Sequence, residues 1–279
     1  VVKVALSSDQ HLDINQVPVE TVISQQAAWL LQQQVGIYLV AGDLFNHFDR
    51  SLAFMQQLQA AVPTTQVRFI AGNHDMVNGV TFDELEQPLD PTYLHNQFFD
   101  VPGTDWRIIG NNGWYDYSFA DGLDKDVAAF EQWKRAYWLD SAIQQPMTDP
   151  ERTDLVLEQV TAQLKRAQVD QKRVFFMTHF VPQSTYLRIT DDNRFWNMAN
   201  AMMGSQRLGN LLTQFKVDRV LFGHMHLRTQ PRLIDGTTYY NQAVGYGTKR
   251  RHEWQSDSFL TEWQRQLRIV ELDSANLKS

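Results

Sequence analysis

Five polar clusters, far apart in the chain, carry side chains that can hold cations. They are Asp9-Gln10-His11, Gly42-Asp43, Gly72-Asn73-His74-Asp75, Thr178-His179 and Gly223-His224-Met225-His226. Carboxylate, carboxamide and imidazole groups are oxygen and nitrogen donors suited to manganese, iron or zinc. Of eight histidines, five (His11, His74, His179, His224 and His226) fall in these clusters. Taken singly, each cluster reads equally well as an ordinary turn, because Gly-Asp and Gly-Asn-His-Asp are common turn sequences. Their shared position separates them from that background, since each follows directly on a short apolar run.

Those runs are Val1–Leu6, Ile37–Ala41, Val67–Ala71, Val174–Met177 and Val217–Phe222; Trp106–Ile109, Thr237–Asn241 and Leu267–Leu272 complete the series. Short, β-branched and continuously apolar, they read as buried strands. Amphipathic patterns at Val19–Gln34, Ser51–Ala61, Glu151–Gln168 and Ser205–Phe215 read as helices between them. The alternation predicts an α/β fold with crossover connections. In open α/β sheets the ligand crevice lies at the carboxyl ends of the strands, so the five clusters should converge. Side chains at i and i+2 of an extended chain share a face, which would let Asp9 with His11, and His224 with His226, each offer two donors. Gly42, Gly72 and Gly223 precede candidate ligands and permit tight turns and close backbone approach. Two aromatic-rich stretches break the pattern, about 115–150 and 181–204. They read as insertions in a single domain spanning 1–279, covering the active-site end of the sheet.

The ordered set Asp9-x-His11, Gly42-Asp43, Gly72-Asn73-His74-Asp75, His179 and Gly223-His224-x-His226 resembles the calcineurin-like metallophosphoesterases. The resemblance implies a four-layer α/β/β/α sandwich, two mixed β-sheets flanked by helices. It implies two divalent ions (Mn, Fe or Zn), one held by Asp9, His11, Asp43 and His226. Asp43, Asn73, His179 and His224 would hold the other, with Asp43 bridging. His74 would not be a metal ligand; it would face the phosphate and stabilise or protonate the leaving oxygen, with Asp75 orienting it. Two such ions clamp a phosphoryl group in line with a metal-bridging hydroxide, whose proton is lost near neutral pH. With only two carboxylates among the implied ligands, the centre keeps about two positive charges, which favours an anionic ester. An Asp75–His74 hydrogen bond would favour the protonated imidazole.

The net charge of −7 argues against a large nucleic-acid face. A small or nucleotide-like phosphomonoester or phosphodiester is therefore favoured over the alternative of a nuclease on the same scaffold. A non-catalytic metal-binding interaction scaffold is the alternative of another class, and an intact ligand set speaks against it. The short basic cluster Lys249-Arg250-Arg251 reads as a solvated turn. Weaker substrate-binding candidates are His47, Asn112, Trp114, Trp138, Arg188 and Trp196, with Tyr186 and Phe195 in the same aromatic wall. His95 and His252 carry no spacing signal and read as surface residues. The absence of cysteine excludes disulfides and thiolate sites and fits the cytoplasm. The opening Val1–Leu6 run reads as a strand rather than a signal peptide, and no apolar run reaches the ~18–20 residues of a membrane span.

Overall fold

The computed structural model describes residues 1–191 and 194–273. Among the described residues ten strands form two sheets. The first has the order β10-β1-β2-β3, with β1 (Val2–Ser7), β2 (Ile37–Ala41) and β3 (Gln66–Ile70) parallel and β10 (Arg268–Leu272) antiparallel to β1. The second has the order β4-β5-β6-β7-β9-β8. There β5 (Trp106–Gly110), β6 (Arg173–Met177), β7 (Arg219–Phe222) and β9 (Thr237–Asn241) run parallel. The strands β4 (Gln97–Asp100) and β8 (Arg232–Ile234) are antiparallel edges.

Side-chain alternation along the strands explains the layers. Val4, Leu6, Ile37, Leu39 and Ile70 of the first sheet meet Trp106, Ile108, Phe175, Met177 and Leu221 of the second in one buried cluster. This is the sheet-on-sheet core. The alternate residues face outward onto helices: Ala5, Tyr38, Val40, Val67 and Phe69 from the first sheet, Ile109, Val174, Phe176, Val220 and Phe222 from the second. They join the apolar faces of α1 (Val19–Gln32), α2 (Phe48–Ala61), α6 (Asp149–Val169) and α8 (Gln206–Gln214) in the other core cluster. Strands buried on both faces need continuous apolar sequence, which is what made them visible. The result is two mixed sheets packed face to face and flanked by helices.

The eight expected strands are present; Ile37–Ala41 and Thr237–Asn241 match at both ends, and the rest are displaced by one or two residues. The edges β4 and β8 escaped expectation because their residues are largely exposed and carry no apolar run. The four expected helices are also present. The stretch 115–150 folds into a 3-10 turn at Ser118–Leu123, helix α5 (Val127–Tyr137) and a second turn at Leu139–Ala142. A capping box between Thr148 and Glu151 then starts α6. Short helices α3 (Asn73–Met76), α4 (Phe82–Leu85), α7 (Arg194–Ala199) and α9 (Phe259–Gln266) complete the fold. Among the described residues no helix is long and apolar enough to cross a membrane.

Candidate metal centre and its cleft

The tips of β1, β2, β3, β6 and β7 bring the five clusters together. The Asp9 carboxylate lies 3.5 Å from His226 Nε2, which lies 3.2 Å from His11 Nε2. Asp43 Oδ2 is 3.9 Å from His11 Nε2 and 3.5 Å from His179 Nε2. Asn73 Oδ1 is 3.1 Å from His179 Nε2 and 2.9 Å from His224 Nδ1. Donor atoms of Asp9, His11 and His226 lie within 4.8 Å of one another, as do those of Asp43, His179 and His224. Asp43 stands between the two groups. Every candidate ligand named from the sequence is in this one place.

The backbone reason differs from simple strand alternation. Asp9, His11, Asp43 and His224 have φ of 50°, 45°, 59° and 67°, so each adopts the left-handed conformation rather than an extended one. A non-glycine residue there costs about 1–3 kcal/mol. These residues turn the chain sharply at the strand tips, and the turns, not a shared strand face, aim Asp9 with His11 and His224 with His226. Gly42 (φ +85°) takes the same region, and a Cβ on it would sit 2.7 Å from His179 Nδ1. A Cβ on Gly72 would overlap Asp43 Oδ1. The site closes only where these two residues lack side chains.

Hydrogen bonds fix which atom of His179, His226 and Asn73 faces the site. His179 Nδ1 donates to the Ala41 carbonyl at 2.8 Å, leaving Nε2 for the site. His226 Nδ1 donates to Glu253 Oε2 at 2.7 Å, again leaving Nε2. The backbone N–H of His74 donates to Asp43 Oδ1, and that of His224 to Asp9 Oδ1. Asn73 Nδ2 donates to Asp140 Oδ1 at 2.7 Å, so its Oδ1 faces the histidines. Such outer partners orient metal ligands.

Asp9 Oδ2 is buried with no hydrogen-bond partner among the described residues, as is His11 Nδ1. A buried carboxylate oxygen left unpartnered beside converging imidazoles suits a cation. The charge pattern agrees. Burial opposes ionisation of Asp43, but His179 and the neighbouring histidines hold its carboxyl well below the ordinary range. Burial also opposes a charged His179, yet Asp43 and Asp9 lift it to about 9. His226, likewise against burial, is lifted to about 10 by Asp9 and Glu253. Burial and His179 push His224 down to about 3. The carboxylates thus demand positive charge at this place, and protons or metal ions can supply it.

His74 is partly exposed and lines the cleft. Its Nδ1 donates to Asn46 Oδ1 at 2.5 Å, and its Nε2 lies 3.4 Å from the Tyr246 hydroxyl. The expected partnership with Asp75 is absent. Asp75 Oδ2 accepts the backbone N–H groups of Asp43 (2.6 Å) and Gly72 (2.8 Å). Its Oδ1 accepts those of Leu44 (3.0 Å) and Phe45 (3.2 Å) and the Ser51 hydroxyl (2.5 Å). Both oxygens are consumed in tying the Asp43 and Gly72 loops together, and Asn46 holds the His74 ring instead.

A cleft of about 860 Å³ opens over the centre. Trp138 and Trp196 line it, as expected, together with Tyr137, Leu139, Phe195, Asn200 and Met203. Both aromatic-rich stretches therefore border it. Other expectations fail. Asn112 is buried, accepting from the Ala71 N–H and donating to the Tyr93 hydroxyl. Trp114 is buried under Arg152 and donates to Asp149. Their side chains complete the core rather than reach a ligand. Tyr186 packs on Phe222 in the core. His47 sits at the N-terminus of α2 against Gly79, and Arg188 is exposed; neither borders the cleft. His95 is buried between Asn112 and Glu86, not on the surface. Lys249, Arg250 and Arg251 are all exposed, as a solvated turn requires, and of the three Arg251 also lines the cleft, beside His252.

Asn46, Asp140, Tyr246, Arg251 and Glu253 were not singled out as site residues by sequence. Asn46 stands three residues after Asp43, and Tyr246 follows the tip of β9, so the strand-tip rule could have found both. Asp140 carries no such signal.

The sequence pattern of the calcineurin-like phosphoesterase family matches residues 2–228. The chain belongs to that family. No curated protein matches the sequence at a significant level. Among solved structures, the phosphopantetheinyl hydrolase PptH from Mycobacterium tuberculosis is similar at 18% identity and a TM-score of 0.62. That match covers 97% of this chain and 96% of that one. A dimetal phosphatase from Danio rerio is similar at 13% identity and a TM-score of 0.54, covering 86% of this chain and 87% of that one. These likenesses confirm the fold of this calcineurin-like phosphoesterase.

Proposed function

We propose that this calcineurin-like phosphoesterase binds two divalent ions and hydrolyses a small or nucleotide-like phosphomonoester or phosphodiester. The observation that carries the reading is Asp43, whose carboxylate lies between the Asp9, His11, His226 group and the Asn73, His179, His224 group. One carboxylate shared by two donor sets is the arrangement a dinuclear centre requires. The ions, when bound, supply an activated water and neutralise the phosphoryl oxygens.

The chain's own residues do the rest. Glu253 and the Ala41 carbonyl hold the imidazoles of His226 and His179 in the tautomer that presents Nε2. Asn46 Oδ1 accepts a hydrogen bond from His74 Nδ1–H, which turns Nε2 toward the cleft. From there His74, entering as the imidazolium with protons on both nitrogens, gives its Nε2 proton to the departing oxygen and is left as the neutral Nδ1–H tautomer that Asn46 accepts from. Tyr246, 3.4 Å from that nitrogen, packs at 4.5 Å against the His11 ring and closes the side of the site. We read the 115–150 and 181–204 stretches as insertions that shape substrate choice, because each contributes residues to the cleft wall.

Protein reconstituted with Mn, Fe or Zn should cleave p-nitrophenyl phosphate or bis-p-nitrophenyl phosphate faster than single-stranded DNA. The reverse order would favour the nuclease reading. Two metal equivalents by elemental analysis, falling on Asp43→Ala, are expected. Full occupancy in that variant would remove Asp43 from its bridging place, and a metal-replete protein inert to every ester would favour a binding scaffold.

A further inference from the structure

We infer that the cleft beyond the metal centre is a mononucleotide subsite, in which the aromatic wall takes a planar base and Arg251 takes a second phosphate group. The inference rests on the phosphoesterase reading and deepens it.

Size comes first. A cleft of about 860 Å³ is in the range of sites for drug-sized molecules and far larger than a bare phosphate requires. One part of its wall is aromatic and open. Tyr137 is 65% exposed, Phe195 47% and Trp196 52%, although side chains of this size normally bury. They come from two separate segments that meet through Trp133, whose ring lies 5.1 Å from Phe195 and 5.8 Å from Trp138. Trp133 thus fixes the wall as a unit. Exposed ring faces next to a phosphate-processing centre are what a nucleobase stacks on.

The second part is cationic. Arg251 lies 5.0 Å over the Tyr246 ring, and the Tyr246 hydroxyl is 3.4 Å from His74 Nε2. The guanidinium is therefore one aromatic ring away from the group that faces the leaving oxygen. Among the described residues it engages that ring rather than a carboxylate. A planar five-donor cation held there suits a phosphate better than a hydroxyl. An alkyl phosphate would use the apolar wall and leave Arg251 idle; a nucleotide with two phosphate groups uses both.

The test is calorimetric titration of the Mn-loaded protein with ribose 5-phosphate, AMP, adenosine 3′,5′-bisphosphate and hexyl phosphate. AMP should bind about tenfold more tightly than ribose 5-phosphate. The bisphosphate should gain about a further fivefold. The Phe195→Ala, Trp196→Ala double variant should lose the gain from the base, and Arg251→Met should lose only the gain from the second phosphate. Ribose 5-phosphate is the reference in each variant. Gains that persist in the variants would overturn the assignment, as would hexyl phosphate binding as tightly as AMP. If ribose 5-phosphate binds and p-nitrophenyl phosphate is cleaved but AMP gains nothing, the subsite falls and the phosphoesterase reading stands. Failure of every phosphate ligand to bind would overturn both.

Discussion

Asp75→Ala removes one carboxylate on which five donors converge. The backbone N–H groups of Asp43, Leu44, Phe45 and Gly72 point at it, together with the Ser51 hydroxyl. Asp75 is fully buried, so water does not readily replace the lost acceptor. A buried donor left without a partner costs about 1–3 kcal/mol. Four orphaned N–H groups at the low end of that range come to about 4 kcal/mol, a large share of the 5–15 kcal/mol that stabilises a typical domain. Asp75→Asn is not conservative here. Either orientation of the amide turns its NH2 toward at least two backbone donors, so it should cost roughly half as much. The assay is urea unfolding of metal-free protein, where metal binding cannot mask the change, with metal uptake measured in parallel. If the alanine variant loses under about 1 kcal/mol, takes up metal normally and instead shifts the pH–rate profile, the loop-tying role is wrong. Asp75 would then be the orienting partner of His74 that the sequence suggested.

Asp140→Leu should free the Asn73 amide to turn and weaken one of two Mn sites about 10–100-fold, read by titration of metal-free protein. Equal loss at both sites, or none, would refute it. His74→Ala should cut turnover of an aryl phosphate about 10²–10⁴-fold with metal content preserved, and undiminished turnover would remove His74 from proton donation. Asn46→Leu should lower kcat at least about tenfold in the same assay, because His74 loses the acceptor that orients its ring and holds its Nδ1–H while Nε2 gives up its proton. Metal affinity should rise with pH. His179 and His226, lifted to about 9 and about 10 by their carboxylate neighbours, hold protons at pH 7 that metal must displace. The same raised values stabilise the metal-free fold fully below the ordinary histidine range and cease to do so as pH passes through about 9–10. Mn titrations from pH 6 to 9 in buffers of differing ionisation enthalpy would show uptake coupled to proton release, and a pH-independent affinity would contradict it.

The metal-centre candidates were legible because two strong constraints coincide. Strands buried on both faces must be apolar, and the ligands must stand where those strands end. The same logic applied to β9 would have led past Asn241 to Tyr246, but Gly245-Tyr246-Gly247 carries no imidazole or carboxylate to draw notice. Asn112 and Trp114 also follow a strand tip, that of β5, and they turned inward. Position after a strand therefore predicts nearness to the centre, whereas hydrogen-bonding capacity left unspent decides whether a residue serves a ligand. Asn112 spends its side chain on Ala71 and Tyr93, and Trp114 spends its indole N–H on Asp149. Asp75 failed for the same reason, since adjacency in sequence to His74 says nothing about which donors occupy its oxygens.

The two halves of the centre are supported by different parts of the chain. His226 is held by Glu253, and His11 is packed by Tyr246, both from the segment after β9. Asn73 is held by Asp140, and His224 Nε2 lies 3.2 Å from the Met202 carbonyl. Asp140 follows Tyr137, Trp138 and Leu139 directly, and Met202 precedes Met203, all four of which line the cleft. The aromatic part of the cleft wall thus comes from the segments that grip Asn73 and His224, whereas Tyr246 and Glu253, which also border the cleft, serve His11 and His226. A change at Tyr137, Trp138 or Leu139 lies one to three residues of backbone from Asp140 and reaches Asn73 without passing through the other ligand set. On the proposed dinuclear reading, exchange of the loop that carries Tyr137–Leu139 should therefore shift substrate range and metal affinity at the Asn73–His224 set in the same variants.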